Sequence, residues 1–499
     1  MKVLVANPAT RESISETKER FFIKAGSRWP WSLEKKKSEK NTACFFPFYL
    51  AYTANLLIGA EHEVQVIDGV AMDMAEAEFI QRTTNINPDF IVIETQTHAI
   101  SHDLSLCKKI KRNLPNVKIL LCGAHVTIYP KELLEENSCI DFVTKAEYEM
   151  TVFELVQRLE SGNSDLKIDG LAYRNEIGEV WVSDKKGFIE DINTLPSPAF
   201  GLFPTNSEPD LSIYGDGICT YRPAVTLHAS RGCPFKCDFC LWNQVMYDHK
   251  YRMFSTERIV DEMEHVVENY GAKEVYFDDD DFCINKKHVL ALCKEIKNRD
   301  LKIKWSCMGD AMASDEEMIR EMANAGCIFM KFGVESGNEQ VLKNIRKPLK
   351  PEKAVKVSKW CRKYGIMTHA TFSFGLDGDT RETMQDTLNL ANRIKFDTAQ
   401  ASISTPFPGT FYHEKLVEKG HLESPNWNTF DGTTNCTFNT DELTSEEIEK
   451  FRRKAIKSMV LHKAIDPVWQ WRFMKRNYLL YKNYGLNAVI SPFKALADL

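Results

Sequence analysis

Three cysteines crowd into one short stretch of this 499-residue chain: Cys233, Cys237 and Cys240 in ASRGCPFKCDFCLW. Their spacing, C-x3-C-x2-C, gives three thiolates for three irons of a [4Fe-4S] cubane. Electron-carrier clusters use four protein ligands, so here one iron is left open. An open iron is a Lewis acid that a free amino acid can chelate through its amino and carboxylate groups. A structural zinc site needs four ligands, and no fourth Cys or His lies at short spacing. Most of the remaining cysteines lie singly in apolar segments, as Cys122 in KILLCGAH and Cys307 in KIKWSCMG, where buried free thiols are expected. An iron–sulfur electron-transfer or sensing protein is the alternative of another class, and the missing fourth ligand speaks against it.

The elements that must hold this trio are read from periodicity. From residue 223 to about 405, apolar β-rich runs alternate with helical patterns: AVTLHAS, KEVYFDD, KIKWSCM, CIFMKFGVES, MTHATFSFG and TAQASIS. Six β/α units predict a partial TIM-like (β/α)6 barrel over 223–440, with its active site at the carboxyl ends of the strands. The trio follows the first of them. Residues 1–163 carry another alternation, with strands at 2–7, 63–68, 90–95, 117–123 and 141–146, apolar on both faces. This predicts an α/β fold with a doubly wound, Rossmann-like parallel sheet. Residues 11–45 interrupt its first β-to-α connection, and an insertion of that length is more often functional than structural; Arg28-Trp29-Pro30-Trp31 is its candidate cover for the active site. Residues 164–222 read as a connector, with a hairpin at 171–183 and an extended linker at 195–210.

Bulk properties bound the rest. Net charge is −6, so no basic field argues for nucleic acid. No apolar run approaches the roughly 18–20 residues of a membrane span, and the amino-terminal MKVLVANPAT reads as a strand rather than a cleavable signal; the expected compartment is the cytosol, where disulfides are not expected. The tail, 441–499, is predicted helical. Its residues 451–499 hold ten Lys/Arg against two Asp/Glu, with Trp469, Trp471 and further aromatics. It reads as a basic cap over the barrel, or as peripheral membrane contact with anionic lipid.

The cysteine segment resembles the radical S-adenosylmethionine (SAM) superfamily, whose motif it matches together with the aromatic Phe239 that packs by the adenine. The resemblance implies a cluster held by Cys233, Cys237 and Cys240, SAM on the open iron, and reductive cleavage to a 5′-deoxyadenosyl radical. Other loops extend it. YFDDDDF (276–282) places Asp279 where relatives have polar groups near the SAM amine, although such an acidic run also suits a plain turn. FGVESG (332–337) supplies Glu335 and Ser336 near the ribose or methionine end. FSFGLDGDTRET (372–383) supplies Ser373 and Gly375, with Asp377 where relatives usually have proline. STPFPGT (404–410) is close to the family's PxPGT turn.

The domain ahead of the barrel resembles the cobalamin-binding branch of the superfamily. Residues 45–68 look like its helix and second strand, LLCGAHVTIYPKELL (120–134) like its G-G-P-H-x-T loop, and KAEYEMTVFEL (145–155) like its G-E-G-E-x-T segment, with Ala146 and Tyr148 where glycines are common. The resemblance implies a cobalamin seat made by Thr95, Gln96, Gly123, Ala124, His125, Val126 and Glu147. The D-x-H-x-x-G motif is absent, and the loop histidine of this branch does not bind cobalt, so a base-off, His-off cobalamin is expected. A degenerate domain kept for substrate binding or packing is the alternative. A dinucleotide site is weaker, because NPATRES lacks G-x-G-x-x-G. The implied activity is cobalamin-dependent methylation of an unactivated carbon, the alternative an anaerobic oxidative cyclisation of the Mg-protoporphyrin monomethyl ester type or another cobalamin-linked rearrangement. The implied partners are a small-molecule or lipid-linked substrate and a low-potential donor of flavodoxin or ferredoxin type. Without a second cysteine trio or an RNA-binding β-barrel, a methylthiotransferase is disfavoured.

Overall fold

The computed structural model describes residues 1–26, 31–38, 44–204, 211–422 and 426–484. Of the Arg28-Trp29-Pro30-Trp31 stretch, Arg28, Trp29 and Pro30 lie outside the described residues, as does the end of the linker, 205–210.

Strand β1 (Lys2–Asn7) is followed by three inserted strands, β2 (Thr10–Ser13), β3 (Lys18–Ile23) and β4 (Trp31–Lys36). The first sheet then takes β5 (Glu63–Asp68), β6 (Phe90–Glu94), β7 (Lys118–Cys122), β8 (Phe142–Thr144), β9 (Leu171–Arg174) and β10 (Val180–Val182). Its order is β10-β9-β8-β7-β6-β1-β5, and the strands from β8 to β5 are parallel. Alternate residues serve separate cores: Val3 and Val5 join one apolar cluster, Leu4 and Ala6 the other. That two-sided burial makes the strands near-continuous hydrophobic runs. The order reverses between β1 and β6, and a doubly wound sheet binds ligands in the crevice beyond its strands at such a point. The hairpin expected in the connector is part of this sheet, because β9 pairs antiparallel with β8; the sheet therefore continues past residue 163.

The insertion forms its own antiparallel sheet, β2-β3-β4. It is anchored by packing: Phe21 and Ile23 are buried in the main core. Lys24, fully buried, pairs with Asp103 at 2.8 Å on the helix Ile100–Asn113.

The second half supplies β11 (Ala224–Leu227), a short pair β12 (Ser230–Arg231) and β13 (Arg252–Met253), then β14 (Glu274–Phe277), β15 (Lys304–Met308), β16 (Cys327–Glu335), β17 (Met367–Phe374) and β18 (Thr398–Ile403). Six of these form the parallel barrel sheet β11-β14-β15-β16-β17-β18, as the alternation predicted. Its helices are punctuated by the chain itself. Ser255 caps the helix Thr256–Tyr270, and Gly271 ends it in the left-handed conformation. Two tail helices follow, Ser445–Ala464 and Pro467–Tyr484. No described helix is long and apolar enough to cross a membrane.

Candidate active site

The thiol loop begins where β12 pairs with β13. A Cβ on Gly232 would lie 1.9 Å from the Lys250 carbonyl oxygen, and its φ is +80°, so this approach requires glycine. The loop is held through its backbone by two carboxamides immediately after the trio. Asn243 Nδ2 donates to the carbonyls of Cys233 (2.7 Å) and Phe235 (2.8 Å), and its Oδ1 accepts from Cys233 N. Gln244 Nε2 donates to the carbonyls of Cys237, Asp238 and Cys240 at 2.9–3.1 Å. Sequence reasoning missed both residues, although polar amides in the first turn after a ligand loop are a usable signal. Burial pushes the Cys233 thiol up, with Asp281 adding to it, and also raises Cys237, which Lys347 partly offsets. Thiols bind metal as thiolates, so loading the site releases protons. Among the described residues no three His, Cys, Asp or Glu side chains converge on a single ion.

Facing the loop is a charged cluster from separate strands. Ser373 Oγ donates to Glu335 Oε2 at 2.7 Å, so two of the expected SAM residues meet. Glu335, at the end of β16, holds a φ of +65°, uncommon outside glycine. Lys347 Nζ lies 3.8 Å from Glu335 Oε1. Burial pulls its ammonium down, but Cys237, Glu335 and Asp310 outweigh that and raise it above the usual lysine range. Burial and then Asp310 push the Asp281 carboxyl well up, because adjacent carboxylates do not both ionise readily. Lys347 and Asp310 carried no local motif in the sequence, whereas Asp281 lies in the acidic run YFDDDDF.

Other expected residues have structural duties. Asp279 accepts from Ala229 N (2.9 Å) and Ser230 Oγ (2.6 Å), tying the second strand's loop to the first. Ser336 is fully buried and bonds Asn338 N and Thr387. Gly375 faces Phe438 and Ile448, and its carbonyl accepts from the Tyr412 hydroxyl. Phe239 is half-buried against the core.

At the edge of the first sheet, a Cβ on Gly123 would lie 2.3 Å from the Thr95 carbonyl oxygen, and its φ is +117°. The loops after β6 and β7 therefore abut through bare backbone. Here Thr95 Oγ1, Glu94 Oε1 and both amide atoms of Gln96 are buried without a hydrogen-bond partner. Buried polar atoms are normally paired, so this edge is suited to a polar ligand such as a corrin with its amide side chains. Burial pushes the Glu94 carboxyl up to about 7, against a hydrogen bond from the Tyr148 hydroxyl. His125 is buried between Tyr129 and Trp427, with ring centroids 5.2 and 5.4 Å away, and desolvation lowers it to about 3. Its Nδ1 lies 3.3 Å from Thr97 Oγ1. Ala124 is buried beside it, while Val126 points into the second core.

Glu147, expected in the cobalamin seat, is engaged in ion pairs. Its carboxylate is consumed by Arg231 (3.0 Å), Arg252 (2.6 Å) and the Ile189 amide (3.0 Å), and Arg231 also meets Glu149 at 2.7 Å. Arg231 immediately precedes Gly232 and is itself buried. This network joins the first domain to the thiol loop.

Two family models match the chain: the Radical SAM superfamily over residues 227–391 and the B12 binding domain over 42–156. "Uncharacterized methyltransferase PH0819" of Pyrococcus horikoshii is 32% identical over 420 residues, covering 84% of this chain and 88% of its own length. The anaerobic magnesium-protoporphyrin IX monomethyl ester cyclase of Rubrivivax gelatinosus is 26% identical over 382 residues, covering 75% of this chain and 66% of its own length. The fold is similar to that of the radical SAM methyltransferase TsrM of Kitasatospora setae, solved with cobalamin and a [4Fe-4S] cluster, with a TM-score of 0.67 at 17% identity over 93% of this chain and 89% of that one.

Proposed function

The chain belongs to the radical SAM superfamily, in the branch that carries a B12 binding domain, and we propose that it methylates an unactivated carbon of a small-molecule or lipid-linked substrate. Its cofactors are a [4Fe-4S] cluster, SAM and cobalamin. When bound, they would supply a 5′-deoxyadenosyl radical and a transferable methyl group.

The chain's own residues divide that work. Cys233, Cys237 and Cys240 hold the cluster, and Lys347 offsets the negative charge of the thiolates and of Glu335. Glu335, fixed by Ser373, offers a carboxylate oxygen to the ribose or methionine end of SAM. Thr95, Gln96 and the backbone at Gly123 and Ala124 seat the corrin. His125, packed between Tyr129 and Trp427 with its Nδ1 3.3 Å from Thr97 Oγ1, would line this seat. Trp427, Phe430 and Phe407 form an aromatic wall beside it that excludes water. A low-potential flavodoxin or ferredoxin supplies the electron.

The observation that carries this reading is the run of unpaired buried polar atoms beside Gly123, on a domain ion-paired to the residue that starts the thiol loop. The test is anaerobic turnover with methyl-labelled SAM and candidate substrates, read by mass spectrometry. Label retained in the product with a gain of one CH2 supports methyl transfer. 5′-Deoxyadenosine with an unlabelled product would sink it. The likeness to the cyclase favours a second reading, oxidative ring closure, whose product gains no carbon.

A further inference from the structure

The two tail helices present a surface that the site does not use. The helix Pro467–Tyr484 grips the barrel with one face. Trp469 Nε1 donates to the Asp397 carbonyl (2.8 Å), Arg472 pairs with the Asp397 carboxylate (2.9 Å), Asn483 Nδ2 donates to the Thr220 carbonyl (3.0 Å), and Leu480 is buried. Its opposite face is also apolar. Val468, Trp471, Met474, Tyr478 and Tyr481 recur every three or four residues and are 48–65% exposed. The stripe runs back through Ile465 to Leu461 on the preceding helix, which are 75% and 70% exposed. A helix apolar on both faces is normally buried on both, and an exposed patch of this kind marks an interaction surface.

Charge indicates what covers it. Residues 467–484 contain no carboxylate, and Lys475 and Lys482 flank the stripe. Beside Leu461 lies a groove of about 750 Å³ lined by Lys450, Arg453, Lys454 and Lys457. Glu449, on the same helix, pairs with Arg453 at 3.5 Å. A second copy of this face would repel the first, and an apolar protein segment would leave the groove's cations unneutralised. An anionic bilayer satisfies both features: the stripe enters the acyl boundary, aromatic rings sit at headgroup depth, and lysines meet lipid phosphates. We propose that the helices Ser445–Ala464 and Pro467–Tyr484 dock this enzyme onto an anionic membrane surface, lying in its plane.

The test uses the full chain with its cofactors, floated anaerobically with phosphatidylcholine vesicles or with vesicles containing a third phosphatidylglycerol. Flotation is expected only with the anionic vesicles and is expected to fade at high salt. The triple variant K450E/K454E/K457E is expected to weaken partitioning about a hundredfold, at roughly 1 kcal/mol per cation, and W471S/M474S about tenfold. Both are expected to form 5′-deoxyadenosine at the wild-type rate. Equal binding to neutral vesicles, or binding unmoved by either variant, overturns the proposal. So does a lipid-free dimer that W471S/M474S dissolves, or a Trp471 already shielded from aqueous quencher without lipid, judged against W471F; either shows a protein cover. Failure of methyl transfer would leave these outcomes untouched.

Discussion

The thiol loop and the edge of the first sheet are the two proposed cofactor seats, and they are built in opposite ways. The loop is local: three ligands within one turn of chain, pinned by the next two carboxamides, Asn243 and Gln244. The sheet edge is distributed. Its seat is made where β6 and β7 end, from backbone that comes within contact only because position 123 has no side chain, and from polar atoms left unpaired. A local site tolerates motif drift elsewhere. A distributed one tolerates drift of individual glycines, as at Ala146 and Tyr148, while sheet packing survives.

The sharpest way to break this contrast is Cys237→Ala. It is expected to lower 5′-deoxyadenosine formation by at least about a thousandfold while corrinoid binding, read by visible absorption, persists. Loss of both would show that the seats are not separable. Arg231→Met tests their connection. Removing the guanidinium leaves Glu147 and Glu149 buried without that partner, and a loss of about 3–5 kcal/mol in denaturant unfolding is expected. A loss under about 1 kcal/mol would mean that the domains are joined by other contacts. Gly123→Val is the converse of the cysteine variant. Its side chain meets the Thr95 carbonyl at an unfavourable φ, so corrinoid absorption is expected to fall about tenfold or more, with stability lowered by about 2 kcal/mol, while SAM cleavage by the reduced cluster continues. Unchanged corrinoid binding would remove Gly123 from the seat.

Glu94→Gln is the smallest change. The folded carboxyl holds its proton up to about pH 7, whereas the unfolded one loses it near 4.5. Between these values the folded state binds more protons, so this group's contribution is fully present at low pH and declines as pH rises to 7. Glutamine, which still accepts from Tyr148, is expected to flatten that decline in the apoprotein and to stabilise it by about 1–2 kcal/mol at pH 8. An unchanged pH profile of thermal unfolding would remove Glu94 as a buried acid.

Much of this architecture was legible beforehand because it rests on short-range pattern. Apolar runs such as KVLVAN in the first sheet and KEVYFDD in the second announced both parallel sheets, and C-x3-C-x2-C announced the cluster. The inserted strands β2–β4 were not legible: their residues read only as an insertion, and what fixes them is Lys24 reaching Asp103, 79 residues away. The ion pairs of Glu147 were not legible for a related reason. A carboxylate beside a cofactor and one in a buried ion pair look alike in a motif.

By itself, then, the sequence determined the two α/β halves and the close spacing of the three cysteines proposed as iron ligands, since strand period and cysteine spacing are properties of neighbouring residues. Tertiary structure alone decided that Lys347, Glu335 and Asp310 converge behind Cys237, that Arg231 clasps Glu147 from 84 residues away, and that the tail's outer face is apolar as well as basic. Those outcomes depend on which distant surfaces exclude water together, and no local spacing records that.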